Sequence, residues 1–252
     1  MPRSSRPSSI LVDVALPDPA PVAGDLIEML SSLRVVLVGW YWVPEQTTPD
    51  QARDQFGEEF RGALDKIAAP FRRAGAEVEV RLVFTGDELE TVSRISTEEH
   101  VDAVLIAGPM KDVRQVLVPL RGVHNAGRIA TFVADLVNNP ETEVVLLHVL
   151  EDEEAEASIR EEVLEPVTRK MIDRGVDPDA IRHEVVTSDD PGQTIIERSA
   201  QSDVVVLGET EPSVREVLFG SVPEQIAHHA HVPVLVVRHE KEDVDVAERA
   251  GT

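Results

Sequence analysis

The chain has 252 residues, 47 of them acidic against 24 basic, for a net charge of −23. That charge repels nucleic acid and anionic membrane alike and argues against both as partners. Cysteine is absent, which excludes disulfides, thiol catalysis and cysteine metal sites.

Only Lys66, Lys111, Lys170 and Lys241 are lysines; the other basic residues are arginines. Abundant Asp and Glu with scarce Lys suits a protein kept hydrated in very high salt, where a Debye length of about 3 Å screens carboxylate repulsion. An ordinary acidic cytoplasmic protein fits the same numbers. The apolar run from Val35 to Val43 is far too short to span a bilayer, and Asp13 breaks the only apolar stretch near the start. No membrane insertion, no secretory signal and a cytoplasmic location are therefore expected.

In chain order, short Val/Ile/Leu runs alternate with longer amphipathic stretches, which predicts βα units around a parallel sheet. The first half predicts strands near 9–15, 34–42, 77–84 and 101–107 and helices near 21–32, 50–74 and 88–99. Trp40-Tyr41-Trp42 ends its second strand and holds every Trp and Tyr of the chain. Alternation puts Trp40 and Trp42 on one side and Tyr41 on the other. They form either a stacking platform at the cleft edge or, on the plainer reading, core and interface packing.

The second half predicts strands near 115–120, 142–150, 181–187, 202–208 and 232–238 and helices near 124–137, 153–174, 191–200 and 221–230. Glu151-Asp152-Glu153-Glu154 opens one helix as a solvated acidic run that suits the dipole. Asp190 before Pro191 reads as an N-cap with proline at the first helical position. His148 reads as a structural histidine. His228, His229 and His231 lack a carboxylate to complete a metal set, so no metal is expected. The residues after Arg238 are charged and aperiodic; 241–252 is expected to be a mobile acidic tail.

The halves repeat at an offset of roughly 100 to 110 residues. Ile10-Leu11-Val12 answers Val116-Leu117-Val118, Val35-Val36-Leu37-Val38 answers Val144-Val145-Leu146-Leu147, and Asp102-Ala103-Val104 answers Asp203-Val204-Val205. Gly75 answers Gly175, each placed to stop a helix in the left-handed conformation. The first copy lacks the final loop, helix and strand. The predicted fold is α/β, with two doubly wound parallel-sheet units in tandem, 1–113 truncated and 114–240 complete.

Val204 to Gly208 followed by Gly220-Ser221 reads as strand, glycine-bounded loop and helix N-terminus, an arrangement that receives anions in open α/β sheets. Val116-Leu117-Val118-Pro119, Leu146-Leu147-His148-Val149, Phe219-Gly220-Ser221-Val222-Pro223-Glu224 and the closing Pro233-Val234-Leu235-Val236-Val237 resemble the universal stress protein family, over roughly 9–238 and most strongly from 115. Leu117 to Gly122 is also similar to stress-protein domains fused to, or encoded beside, amino-acid and cation transporters of halophilic archaea.

The resemblance implies an adenine nucleotide, ATP or AMP, in the second half. Pro119, Leu120, Arg121, Val149, Gly208, Glu209, Gly220, Ser221 and Val222 would line it, with phosphate on the last three and adenine beside Val149. ATP-binding members carry G-x2-G-x9-G-S/T. Here Glu211 holds the second glycine's place and the following spacing is one residue short. A carboxylate 4 Å from a phosphate charge costs about 4 kcal/mol at an effective dielectric of 20, so a monophosphate is admitted more easily than a triphosphate. Arg121 stands where the family places an acid; it could pair with phosphate, or with Glu209 or Glu211 and fill the cleft.

The readings carried forward are a cytoplasmic regulatory protein with an altered nucleotide site, a non-nucleotide interaction module regulating a transporter, and a slow ATP hydrolase. No nucleophile-and-base arrangement, Walker loop or G-x-G-x-x-G appears, so an enzyme is not expected. The family resemblance also implies a homodimer through 233–238, with the last strand as an exposed edge that a second chain would pair.

Overall fold

The computed structural model describes residues 6–44, 46–106, 113–123, 125–137, 139–150, 155–209 and 232–239. The predicted strands form where β-branched and leucine side chains alternate between two covered faces. In the first half these are β1 (Ser9–Leu16), β2 (Arg34–Trp42), β3 (Glu77–Thr85) and β4 (Ala103–Ile106). The second half supplies β5 (Gln115–Pro119), β6 (Glu143–Leu150), β7 (Ile181–Thr187), β8 (Val204–Gly208) and β9 (Val234–Val237).

The helices between them are α1 (Gly24–Met29), α2 (Pro49–Ala74), α3 (Glu88–Glu98), α4 (Ala126–Leu136), α5 (Glu156–Ile159), α6 (Glu165–Asp173) and α7 (Pro191–Ser199). Thr48 and Gln51 form a reciprocal capping box at the start of α2. Asp190 accepts the Gln193 N–H at 2.9 Å with Pro191 at the first helical position, as the sequence predicts. One π-turn, Arg160–Leu164, joins α5 to α6. Pro166 lies just beyond it and has no N–H for the carbonyl of Glu162, which interrupts the regular ladder there. Gly75 and Gly175 take φ of 104° and 102°, the left-handed stop expected of both copies.

All the strands join one sheet in the order β3-β2-β1-β4-β9-β8-β5-β6-β7. Neighbours are parallel except β4 and β9. Alternation then sorts the core. Ile10, Val12, Val35, Leu37, Val116, Val118, Val144 and Leu146 join one cluster with residues of α1, α2, α4 and α6. On the other face Leu11, Val36 and Val38 meet Val92 and Ile95 of α3, while Leu117, Val145, Val205 and Val236 meet Ile195 of α7. Each fully buried Val or Leu is worth about 1.5–3 kcal/mol relative to exposure.

The sheet corrects one expectation. Residues 233–238 do not form an edge that a second chain could pair. β9 runs antiparallel to β4, Val237 opposite Ala103 and Val234 opposite Ile106, and parallel to β8, Val205 opposite Val234 and Gly208 opposite Val237. The reason is the missing strand of the first copy. Without it β4 presents a row of unpaired N–H and C=O groups, and the same chain covers them. β9 is thus the fifth strand of both halves, and the sheet edges are β3 and β7.

Because β4 and β9 are antiparallel, the halves point in opposite directions along the sheet. The carboxyl ends of β5, β6 and β8 lie beside the amino ends of β1 and β4. The Arg238 N–H donates to the Asp102 carbonyl at 2.8 Å across this junction. Arg128 meets Asp102 at 3.1 Å, and Ser8 Oγ donates to Asp135 at 2.6 Å.

Candidate functional site

The parallel register of β5, β6 and β8 brings three strand ends to one edge. The Leu120 N–H donates to the Leu147 carbonyl at 2.8 Å, one rung past the end of β5. His148, 2 % exposed, donates from Nδ1 to the Leu120 carbonyl at 2.7 Å, which fixes its tautomer as structural. Both backbone polar groups of Leu120 are therefore held. The chain turns there in a set direction, with Pro119 half-buried, Leu120 buried and Arg121 exposed beyond it. Val149 is half-buried on the neighbouring strand, and Gly208 is half-buried at the end of β8, across β5 from Val149.

The structure thus gathers Pro119, Leu120, Arg121, Val149, Gly208 and Glu209 at one sheet edge. Glu211, Gly220, Ser221 and Val222 lie outside the described residues, as do His228, His229, His231, the acidic run 151–154 and the tail 241–252.

Gly208 is closely approached by the side chains of α4. A Cβ there would lie 2.9 Å from Ile129 Cδ1 and 3.4 Å from Asn125 Nδ2. The first turn of α4 therefore rests directly on the end of β8. Asn125 is the N-cap of α4 with φ of 60°, a left-handed conformation that asparagine tolerates. Its side chain makes no cap; Nδ2 instead donates to the Val237 carbonyl at 3.2 Å. Sequence reasoning missed Asn125, and its position before an apolar helix gives only a generic cap signal.

Glu209 is 7 % exposed. Its N–H donates to the Val237 carbonyl at 2.8 Å, and its Oε2 accepts the His239 N–H at 2.7 Å. Arg238 is 8 % exposed, with a guanidinium that donates to Thr97 Oγ1 at 3.1 Å. Burial lowers the pKa of Arg238, the charge of Glu209 opposes that shift, and Arg128 adds to it. The carboxylate of Glu209 is thus engaged at the junction between the halves. Nothing in the sequence marked this, because His239 and Arg238 reach Glu209 through the β8–β9 pairing, and Thr97 meets Arg238 only through the β4–β9 pairing.

Trp40, Tyr41 and Trp42 divide as alternation predicts. Tyr41 packs among Phe56, Phe60 and Phe84 with ring centroids 5.5, 5.1 and 5.9 Å away. Trp40 donates from Nε1 to Asp13 Oδ2 at 3.1 Å, and Trp42 is 55 % exposed. A separate cavity of about 530 Å³ opens at the other edge of the second half, lined by Asp25 and Met29 of α1 together with Arg114, Val116, Leu136 and Glu141. No helix of the described residues is long and apolar enough to cross a membrane.

The model of the universal stress protein family matches residues 112–238. No curated protein matches the chain. Among solved structures, a universal stress protein from Archaeoglobus fulgidus DSM 4304 is 17% identical, with 94% of this chain and 98% of that one covered and a TM-score of 0.66. A functionally unknown protein, PA1789, from Pseudomonas aeruginosa PAO1 is 14% identical, with 92% and 93% covered and a TM-score of 0.55. A further protein, from Pseudomonas aeruginosa UCBPP-PA14, is 14% identical over 92% and 93% with a TM-score of 0.51. These likenesses extend across both halves and concern the fold.

Proposed function

We propose, from the premise that this chain belongs to the universal stress protein family, that it is a cytoplasmic regulatory protein whose second half takes an adenine nucleotide with a short phosphate tail. The tandem reading, 1–113 and 114–240, goes with this proposal.

The observation that carries it is the commitment of Glu209. Its carboxylate accepts the His239 N–H and lies beside Arg238. One of the two acids that would repel phosphate is thereby turned toward the junction. Leu120 and His148 fix the neighbouring strand ends, so Pro119 and Val149 offer a partly apolar wall for a purine. Arg121 carries the charge and fork geometry that phosphate oxygens need. Glu211 keeps AMP ahead of ATP on Coulomb grounds. The role is occupancy, with no turnover.

The test is binding. Protein purified from its host and acid-extracted should release an adenine nucleotide. Titration calorimetry should show AMP binding more tightly than ATP. Arg121→Glu should weaken AMP by at least tenfold, about 1.4 kcal/mol, and Val149→Trp should block it. If no nucleotide is released and neither AMP nor ATP binds, this reading fails and the chain is an interaction module without a nucleotide. Phosphate released from ATP would instead support slow hydrolysis.

A further inference from the structure

Both tryptophans of the chain lie on one face of β2, at its carboxyl end. It is the face that α3 covers, since Val36 and Val38 of the same alternation meet Val92 and Ile95. Register places Trp40 beside Val83 and Trp42 beside Thr85 of β3, an edge strand of the sheet. Trp40 is half-buried, and its Nε1 donates to Asp13 Oδ2 at 3.1 Å. Trp42 is 55 % exposed.

The start of α3 is tied to the same place. Thr85 Oγ1 accepts the Asp87 N–H at 3.0 Å, and Thr91 and Thr85 join their hydroxyls at 2.8 Å. The turn held in this way carries Leu89, which is 53 % exposed. Among the described residues of the first half, Trp42 and Leu89 are the large apolar side chains left exposed. They flank Thr85, one across the β2–β3 rung and the other on the helix that Thr85 anchors. Single exposed apolar residues are ordinary; two around one anchored position leave a large apolar area in water at a fixed place.

Acids surround this patch. Asp87 and Glu90 are exposed, and Glu88 and Asp13 are half-buried. The basic side chains of these elements are engaged elsewhere. Arg81 pairs with Glu79 at 2.8 Å and with Glu99, Arg94 pairs with Glu98 at 2.9 Å, and Arg53 pairs with Asp50 at 3.6 Å. The dipole of α3 accounts for acids in its first turn, and Asp87 is its N-cap, accepting the Glu90 N–H at 2.9 Å. It does not account for Trp42 and Leu89 exposed among them.

Charge selects what covers the patch. A second copy would bring the same acids against these, and an anionic bilayer is repelled by the net charge of −23. We propose that Trp42 and Leu89 form a docking surface for a cationic amphipathic segment of a partner protein. An apolar side chain of that segment covers Trp42 and Leu89, and flanking Lys or Arg side chains meet Asp87, Glu88 and Glu90. A guanidinium stacked on the indole adds cation–π attraction. The apolar anchors supply affinity, while the acids speed association and make it fall with salt. The surface belongs to the first half and needs no nucleotide in the second.

The probe is a helical peptide of Leu and Lys in amphipathic order, titrated into the full chain at low salt. In Trp40→Phe protein Trp42 is the only tryptophan, and its emission should shift to the blue on binding. By calorimetry, Trp42→Ser and Leu89→Ser should each weaken the peptide by at least about tenfold. Both positions are exposed, so far-UV circular dichroism should not change. A peptide with Ser in place of Leu should bind more weakly by a similar factor. Glu88→Gln with Glu90→Gln should weaken binding and flatten its salt dependence. Glu161→Gln with Glu162→Gln, an exposed acidic pair of the second half, should leave it unchanged. No binding, or binding that Trp42→Ser and Leu89→Ser leave intact, overturns the docking surface. Equal losses in the two Glu→Gln pairs would show attraction to the net charge alone and overturn it as well. Self-association of the full chain that Trp42→Ser abolishes would assign the face to a second copy, which also overturns it.

Discussion

Asp102 and Asp203 do one task at equivalent places in the two halves. Asp203 Oδ2 accepts the N–H groups of Arg114 and Gln115 at 2.8 and 2.9 Å. Asp102 Oδ2 accepts the Ser9 N–H at 2.8 Å and the Ser9 hydroxyl at 2.9 Å. In each copy the aspartate that opens the fourth strand ties down the start of the first. This is the physical content of the repeat read from Asp102-Ala103-Val104 and Asp203-Val204-Val205.

Removing either carboxylate should therefore be costly. Asp203→Ala leaves two backbone donors without their charged acceptor and should lower stability by about 1–3 kcal/mol. Asp102→Ala should cost more, because Arg128 also meets this carboxylate at 3.1 Å. Urea denaturation of both variants gives the comparison, and equal losses would remove the ranking.

The glycines divide by cause. Ala at Gly75 or Gly175 meets open space but a left-handed backbone, which should cost about 1–2 kcal/mol. At Gly39 the backbone is ordinary, yet a Cβ would lie 2.5 Å from both Leu64 methyls, and overpacking of this kind costs about 1–3 kcal/mol. Leu64→Ala should rescue part of the loss at Gly39→Ala and none of the loss at Gly75→Ala. A double-mutant cycle reads this directly.

The place of β9 predicts its exchange behaviour. An interior strand bonded on both sides should keep its amides until the sheet opens, whereas an edge exposes every second one. Val234 to Val237 should therefore rank with β1 and β5 among the slowest-exchanging segments, and Ile181 to Thr187 of the β7 edge should exchange faster. Rapid exchange across 234–237 would contradict the assigned sheet order.

Acid should act in two opposite directions on this chain. Burial tends to raise Glu99, but hydrogen bonds and charge from Arg81 and Arg34 prevail and hold it below its usual range. Glu143 is lowered chiefly by its hydrogen bond to Arg182 at 2.8 Å, with Gln115 adding to it. Stability from such depressed acids is present above their unfolded pKa of about 4.3 and is lost as pH falls through the lower folded value. Glu143→Gln should lower stability at neutral pH and flatten the loss on the acid limb. The acid limb belongs to these ion pairs, while Asp13 and Glu88, both raised by burial, gain on acidification. Denaturation curves at several pH values separate the two contributions.

Chain-local features were legible before any coordinates. The alternating Val, Ile and Leu runs determined the strands, because a strand buried on both faces needs apolar side chains at every position. Gly75 and Gly175 determined where two helices stop, because few residues other than glycine accept that φ readily. The family resemblance puts Pro119, Arg121, Val149 and Gly208 in one site, and parallel strands bring their carboxyl ends to one sheet edge. Only the tertiary structure decided what lies between chain-distant partners. β9 looked like an exposed edge and is interior, since backbone N–H and C=O groups are the same in every residue and do not name the strand they will meet. The direction of Glu209 toward His239 follows from that pairing. Ionic and hydrogen-bonding partners are set by distance in space, which a linear order of residues does not record.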